Sequence, residues 1–464
     1  MPFQCATAFL VCPSSGGVQV ARGSDTECSE VIGEMVREQD SGQLSELRRE
    51  VRAWLREKWS EDLTVGTWWR LLAEAGYAFP TWPAGMGGRD LGRGEARAIT
   101  EEIARAGAIG PPGGVGQMVG GPVLIEYGTP EQRRRWVPSL AAGAESWCQL
   151  FSEPGAGSDL ASLQLRAERD GDRWVLNGQK LWSREAEGAD RGLALARTDP
   201  SVPKRRGISC FVVDLDQPGV ETRPIRQMNG RATFNEVFLT DVVVPSDQMI
   251  GEAGQGWRLA QSSLVYERQE VGGGGVLRPA RVALPGRRNG MLDRRVGELI
   301  EEDRAARRDS TARRGVRTPA ALIGLAREVG RSRDPLVRQR IAAVYGDAET
   351  NRLRNLSARS ARGRGDRPGA EASLGKLAGS AVGRQARDIG LSLLGAEGML
   401  AGPDTTGGGA FQQMALSVPS LSIAGGTDEI QRNLIGERVL GLPREPEADR
   451  DVPFHQLRVG TQRK

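Results

Sequence analysis

One histidine, His455, serves the whole 464-residue chain, and it lies close to the C-terminus. That scarcity excludes Ser-His-Asp catalysis, histidine-ligated metals and histidine proton shuttles, so a general base must be a carboxylate, Lys, Tyr or Cys. Cysteine is also sparse. The five thiols, Cys5, Cys12, Cys28, Cys148 and Cys210, form no C-x-x-C pair, and three of them stand in the N-terminal stretch. Such usage predicts a reduced, cytoplasmic protein with no metal site and no structural disulfide. Long apolar runs are missing too. Nothing approaches the ~18 residues of a membrane span, and the short run Ala6 to Cys12 has no basic residue before it, so neither a transmembrane helix nor a signal peptide is expected. Charge of one sign is not in excess either: 63 Lys+Arg against 59 Asp+Glu leaves +4, too even for a dedicated nucleic-acid surface.

What the chain has is length and changing periodicity. At roughly 150 residues per domain it can hold two or three packed units. Residues 1–42 are rich in Ser, Gly and charge and lack sustained periodicity, which predicts a disordered extension. From Leu44 the pattern is helical, with Leu44, Leu47, Val51 and Leu55 on one face. "TWWRLLAEAGYAFPTWP" predicts a helix ending at Gly76, "GEARAITEEIARAGA" another, and "GTPEQRRRWVPSLAAG" a third with Thr129 as N-cap and Pro130 at its first position. Residues 43–146 therefore read as an all-helical domain.

At Trp147 the period changes to two. "LQLRAERDGDRWVLNGQKLWS" alternates, with turns expected at Asp170-Gly171-Asp172 and Asn177-Gly178, and "GLALART", "GISCFVVDLD", "GVETRPI" and "NEVFLTDVVVP" follow as short strands. This predicts an antiparallel, barrel-like β-domain over 147–250. Helical spacing returns over 251–446, and 447–464 form a tail. Between "GGGG" (Gly272 to Gly275) and Pro319 the helical domain is interrupted by an Arg-dense stretch, about 276–318, read as a solvated insertion with a short helix at "LDRRVGELIEEDRAAR". The fold class is α+β, with helices, then strands, then a helical bundle.

Two motifs carry chemistry. In "WCQLFSEPGAGSDL" a Gly-Ala-Gly turn bounded by Ser152 and Ser158 offers hydroxyls and backbone N–H groups beside a sheet edge, suited to a polar cofactor or a phosphate-bearing ligand. In "SIAGGTDEIQRNLIGERVLGLPREP" a Gly-Gly turn precedes a helix whose N-cap is Thr427, and a helix N-terminus favours an anion.

"FSEPGAGSD", "NGQKLW", "MNGRATFNEVFLTDVVVP", "GEAGQGW" and "AGGTDEIQRNLIGERVLGLPREP" follow one another in this order, and the series resembles the acyl-CoA dehydrogenase family, particularly its actinobacterial branch of steroid and branched-acid degradation. The resemblance spans about 44–275 and 319–446. It implies an N-terminal helical domain, a middle β-domain and a C-terminal four-helix bundle. It also implies FAD as cofactor, an acyl-CoA substrate, an electron-transfer flavoprotein as electron acceptor, and a homo- or heterotetramer. Carried over residue by residue, Gln149, Phe151 and Ser152 would lie along the flavin, Trp182 and Ser183 against it, and Gly426, Thr427 and Glu429 at the FAD diphosphate and ribose. Ser158 would face the acyl-CoA.

In many members of the family the catalytic glutamate stands immediately before the Gly-Thr of the C-terminal motif; here that position is Gly425. Other members carry the base on the helix after the β-domain, in an L-x-x-E-R pattern. "LVYER" matches it, with Glu267 as the base and Arg268 beside the substrate. Gly425 would then widen the acyl pocket. Two features depart from the family: Arg184 replaces the usual Ser or Thr two positions after Trp182, and no R-x-x-F-G element follows "GGGG". The alternatives left open are a non-catalytic or half-site subunit of a heteromeric dehydrogenase, and a flavin oxidase or monooxygenase of the same fold.

Overall fold

Amphipathic helices build the first layer of the protein. The computed structural model describes residues 42–271, 285–286, 288, 290–309, 318–363, 371–402, 404–447 and 449–458. The predicted N-terminal extension lies outside them apart from Gly42, where α1 (Gly42–Lys58) begins. With α2 (Val65–Glu74) and α3 (Arg93–Arg105), α1 closes a core of Val51, Leu55, Trp68, Trp69, Leu72, Ile99 and Ile103. The indole N–H groups of Trp68 and Trp69 donate to Ile109 O and Gly110 O, both at 2.9 Å, so neither ring buries an unpaired donor. Buried Glu102 on α3 draws in Arg48 and Arg52 of α1 and Arg105 of its own helix. A π-helical turn, Gly116–Gly120, leads into α4 (Gly121–Tyr127). The helix α5 (Pro130–Ala141) starts as its sequence predicts: Thr129 Oγ1 accepts from Gln132 N, and the Gln132 side chain returns to Thr129 N.

Eight strands form one sheet in the order β6-β7-β3-β2-β4-β5-β8, with β1 beside β4. They are β1 (Trp147–Leu150), β2 (Arg166–Asp170), β3 (Arg173–Arg184), β4 (Arg191–Arg197), β5 (Ile208–Asp214), β6 (Val220–Ile225), β7 (Phe234–Pro245) and β8 (Met249–Ile250). Two expectations change. The sheet is not wholly antiparallel, because β1 runs parallel to β4 and a single parallel pair, Arg166 with Arg197, joins β2 to β4. Asn177-Gly178 is not a turn but the bulge of a long β3, where the register against β7 shifts and Gly178 takes φ +152°. A side chain there would meet Leu165, so glycine lets the strand continue.

The period of two divides β4 and β5 between two cores. Leu193, Leu195, Ile208, Cys210 and Val212 face helices, while Ala194, Ala196, Phe211 and Val213 face the β-core with Trp174, Leu176, Val237 and Val242. Both faces are therefore covered, which is why these strands read as continuous apolar runs. Cys148 and Cys210 are buried free thiols, pushed up to about 12 by desolvation.

Beyond the sheet, α6 (Gly256–Val271) touches the π-turn, α4, β4 and β5. The Arg-dense stretch is not wholly solvated where it is described. Its helix α7 (Val296–Asp309) buries Val296, Leu299 and Ile300 in the N-terminal core, and Val65 N donates to Arg294 O while Val296 N donates to Leu63 O, both at 2.9 Å. Apolar spacing within the Arg-rich run is the reason. A C-terminal core joins α8 (Pro319–Glu328), α9 (Pro335–Gly363), α10 (Glu371–Leu394) and α11 (Ala410–Ser417) through Leu322, Ile341, Ile389, Phe411 and Met414. The last helix, α12 (Asp428–Arg438), packs on α10. Among the described residues no helix is long and apolar enough to cross a membrane, and no group of side chains could hold a metal ion.

Candidate active site

The chain leaves β1 after Leu150 and is caught at once by β3. Leu181 N donates to Ser152 O at 2.9 Å, and Lys180 Nζ donates to Phe151 O at 3.0 Å. Lys180 is fully buried and pairs with Glu153 Oε1 at 2.8 Å. The Glu153 carboxylate also accepts Gln164 N at 2.6 Å and Leu165 N at 2.8 Å. Desolvation lowers the Lys180 pKa, opposed by the carboxylate beside it. One ion pair thus closes both ends of the loop that carries Ser158, whose side chain is exposed. Neither member was singled out in the sequence, although both stand inside the quoted motifs and a lysine at an inward strand position was a usable signal.

Gln149 is half-buried in β1 opposite Leu193. Past Lys180 the register of β3 against β7 shifts and Trp182 takes φ +60°. The irregularity turns its indole outward, 54 % exposed, edge-on to Phe234 with ring centroids 6.0 Å apart. Arg184 lies over Phe234 at 5.2 Å. Ser183 points inward, and its buried Oγ has no hydrogen-bond partner among the described residues. Its carbonyl accepts from Asn235 Nδ2 at 3.2 Å.

On α6 the buried positions Ala260 and Ser263 recur at helical spacing, and Glu267 falls one turn further along that face, half-buried. The helix is held from the N-terminal side by Tyr127 Oη with Ser262 Oγ at 2.8 Å and by Tyr266 Oη donating to Glu126 at 2.6 Å. The helix as a whole contacts β4 and β5 of the sheet and α10 of the C-terminal domain. The side chain of Arg268 lies outside the described residues.

The Gly-Gly turn stands at the start of α12. Gly425 and Gly426 have φ +67° and +85°, and Gln431 Nε2 donates to both carbonyls, at 2.9 and 3.3 Å. A Cβ on Gly426 would strike that amide, whereas a Cβ on Gly425 would meet nothing within 4 Å. Thr427 Oγ1 caps the helix by accepting from Ile430 N. Glu429 is exposed, its pKa lowered by its own backbone N–H and the Thr427 hydroxyl. The buried acid is its neighbour Asp428, which Lys376 Nζ (2.9 Å) and Arg384 Nη1 (2.6 Å) of α10 hold at about 2. No sequence signal joined these cations to Asp428, because they meet only once α10 and α12 pack.

The structure therefore brings 151–153 together with 180–183, gathers 425–429 around one helix start, and sets Glu267 on a third element. The sheet approaches the C-terminal domain where Asn229 Nδ2 donates to Ser417 Oγ at 3.2 Å. The residues present fit the implied FAD in two respects: an outward indole next to Leu181, whose N–H donates to Ser152 O, and a glycine-lined helix N-terminus suited to phosphate; Ser183 is fully buried on the inward side and does not present its hydroxyl there.

Comparison with known proteins agrees along the chain. Family models described as the N-terminal, middle and C-terminal domains of acyl-CoA dehydrogenase match residues 34–144, 148–242 and 303–440. Acyl-CoA dehydrogenase IpdE1 of Mycobacterium tuberculosis is 35% identical over 423 residues, covering 87% of this chain and 98% of its own. Two solved structures superpose with TM-scores of 0.60. The Tcur3481-Tcur3483 steroid ACAD is 29% identical and covers 88% of this chain and 99% of that one. The ChsE4-ChsE5 complex from Mycobacterium tuberculosis is 28% identical and covers 87% and 99%. Three family models in chain order and a relative matched over nearly its whole length lead to one conclusion: the chain belongs to the acyl-CoA dehydrogenase family.

Proposed function

We propose that this acyl-CoA dehydrogenase, an oxidoreductase, converts an acyl-CoA thioester to its trans-2-enoyl-CoA, with Glu267 as the base. The observation that carries the assignment is a pairing: Glu267 is half-buried on α6, and Gly425 places no side chain at the other position where the family keeps its carboxylate. An α-proton of a thioester is weakly acidic, so the base must be placed and partly desolvated before it can take that proton. The half-buried position of Glu267 on α6 supports that role. FAD, when bound, supplies the acceptor for the hydride that leaves the β-carbon, and an electron-transfer flavoprotein takes the electrons onward.

Gln149, Phe151, Ser152 and Trp182 would hold the flavin ring, with Ser183 behind them in the β-core, and Gly426, Thr427 and Glu429 the diphosphate and ribose. The Glu153–Lys180 pair keeps 151–153 in register with β3, so the flavin-side backbone is set before any ligand arrives. Ser158, Arg268 and Gly425 would line the acyl-CoA side. The open space at Gly425 favours a bulky acyl group, and the steroid ACAD among the similar structures points the same way. The buried unpaired thiols are in keeping with a cytoplasmic location.

A second reading, a half-site subunit completed by a paralogue, is favoured by Arg184 over Phe234 and by the heteromeric ChsE4-ChsE5 neighbour. Purifying the chain alone, recording its visible flavin spectrum and adding a panel of acyl-CoAs separates the readings. Bleaching supports the dehydrogenase, flavin that appears only with a partner supports the half-site, and flavin that reacts with oxygen alone supports an oxidase. Glu267→Gln is expected to bind FAD and lose bleaching; undiminished bleaching in that variant rules Glu267 out as the base.

A further inference from the structure

After α12 the chain runs extended and exposed, then returns to the β-sheet it left long before. Glu447 pairs with Arg205 at 2.7 Å. Phe454 N donates to Val202 O at 2.9 Å, His455 N to Pro200 O at 3.0 Å, and Pro453 bridges Pro203, so residues 449–458 dock on the loop between β4 and β5. Beneath them lies Arg197, the last residue of β4 and only 4 % exposed. Its guanidinium donates to Ala161 O at 2.7 Å, to Leu163 O at 3.1 Å and to Lys204 O. The Phe454 ring covers it, with the guanidinium carbon 3.7 Å from the ring centroid. Beside it, Lys204 Nζ bridges Asp159 at 3.1 Å and Asp449 at 3.5 Å.

These contacts have one target. Asp159, Ala161 and Leu163 belong to the loop that carries Ser158, and each is held by a cation that the C-terminal segment covers or neutralises. A guanidinium withdrawn from water keeps its carbonyl acceptors in place only while its remaining face is satisfied, and an aromatic ring over that face does so. Opening the face to water gives Arg197 other partners and lets the loop move.

We propose that residues 449–458 act as a strap that positions the Ser158 loop for acyl-CoA, through Phe454 on Arg197 and Asp449 on Lys204. Phe454 and Arg197 are positioning residues; neither touches the reacting atoms. The inference rests on the reading that Ser158 faces the substrate.

The test uses the full-length protein, with Phe454→Ala as the perturbation and Phe454→Tyr, which keeps the ring, as the rescue. Expected for Phe454→Ala are a rise in the KM for acyl-CoA of about tenfold, kcat within about twofold of the parent, an unchanged flavin content, and faster amide exchange confined to 158–163. Phe454→Tyr is expected to restore KM and exchange together. Unchanged KM with a lower melting temperature overturns the strap as a positioning element, as does unchanged exchange at 158–163. A parent protein whose flavin no acyl-CoA bleaches overturns the reading of the reaction, and the inference with it, and that result is visible before any variant is made.

Discussion

Lys180 and Glu153 offer the sharpest test of how the backbone of residues 151–153 is held. Both are buried, but their bonding is unequal. Glu153 accepts two backbone amides as well as the ammonium, whereas Lys180 donates, among the described residues, to the carboxylate and Phe151 O. Replacing Lys180 by Met leaves a carboxylate still bonded to Gln164 N and Leu165 N, and the apolar side chain fills the space. The cost should be at the low end for a broken buried pair, about 3 kcal/mol. Glu153→Ala leaves a buried ammonium with one carbonyl and strands two amides, and about 4–5 kcal/mol is expected. Urea denaturation followed by tryptophan fluorescence measures both. The reasoning is refuted if Lys180→Met costs as much as Glu153→Ala or more, because then the two backbone amides do not hold the carboxylate. Flavin content measured in parallel should fall further in Glu153→Ala, since that change releases both ends of the Ser158 loop.

Other outcomes follow from the same geometry. Glu267→Gln should keep its flavin and lose bleaching by acyl-CoA, as measured by stopped-flow absorbance. Asp428, depressed from 3.8 to about 2 by Lys376 and Arg384, contributes about 2 kcal/mol of stability. A depressed acid stabilises fully above its unfolded value and stops doing so as pH falls through its folded one. The deficit of Asp428→Asn should therefore be complete above about pH 4 and vanish towards pH 2, and thermal melts across that range that stay parallel contradict it. Val296→Ala should cost about 2 kcal/mol, because α7 is part of the N-terminal core. An unchanged melting temperature would show that the segment is not anchored there.

Much of this protein was legible because its signals are local. Thr129 with Gln132, and Thr427 at its helix start, declare themselves in the residues that form the cap, and Val51 and Leu55 declare a buried face by spacing alone. The motif series located the Ser152, Trp182 and Gly426 regions for the same reason: each is a short contiguous stretch. Failures came where a local signal had two readings. Asn-Gly favours a hairpin turn, but β7 pairs with β3 on both sides of Asn177-Gly178, and continuing that ladder outweighs the turn. An Arg-rich stretch reads as solvated until Val296, Leu299 and Ile300 find an apolar surface that belongs to another part of the chain.

By itself the sequence determined the succession of helices, strands and helices, the caps, the inward faces, and the exclusion of histidine chemistry, because these depend on spacing within one segment. Only the tertiary structure decided that Lys180 closes on Glu153, that Lys376 and Arg384 meet at Asp428, and that Phe454 covers Arg197. Each of those contacts joins groups distant in sequence, and a buried charge chooses its partner only when packing has removed the water that would otherwise solvate it.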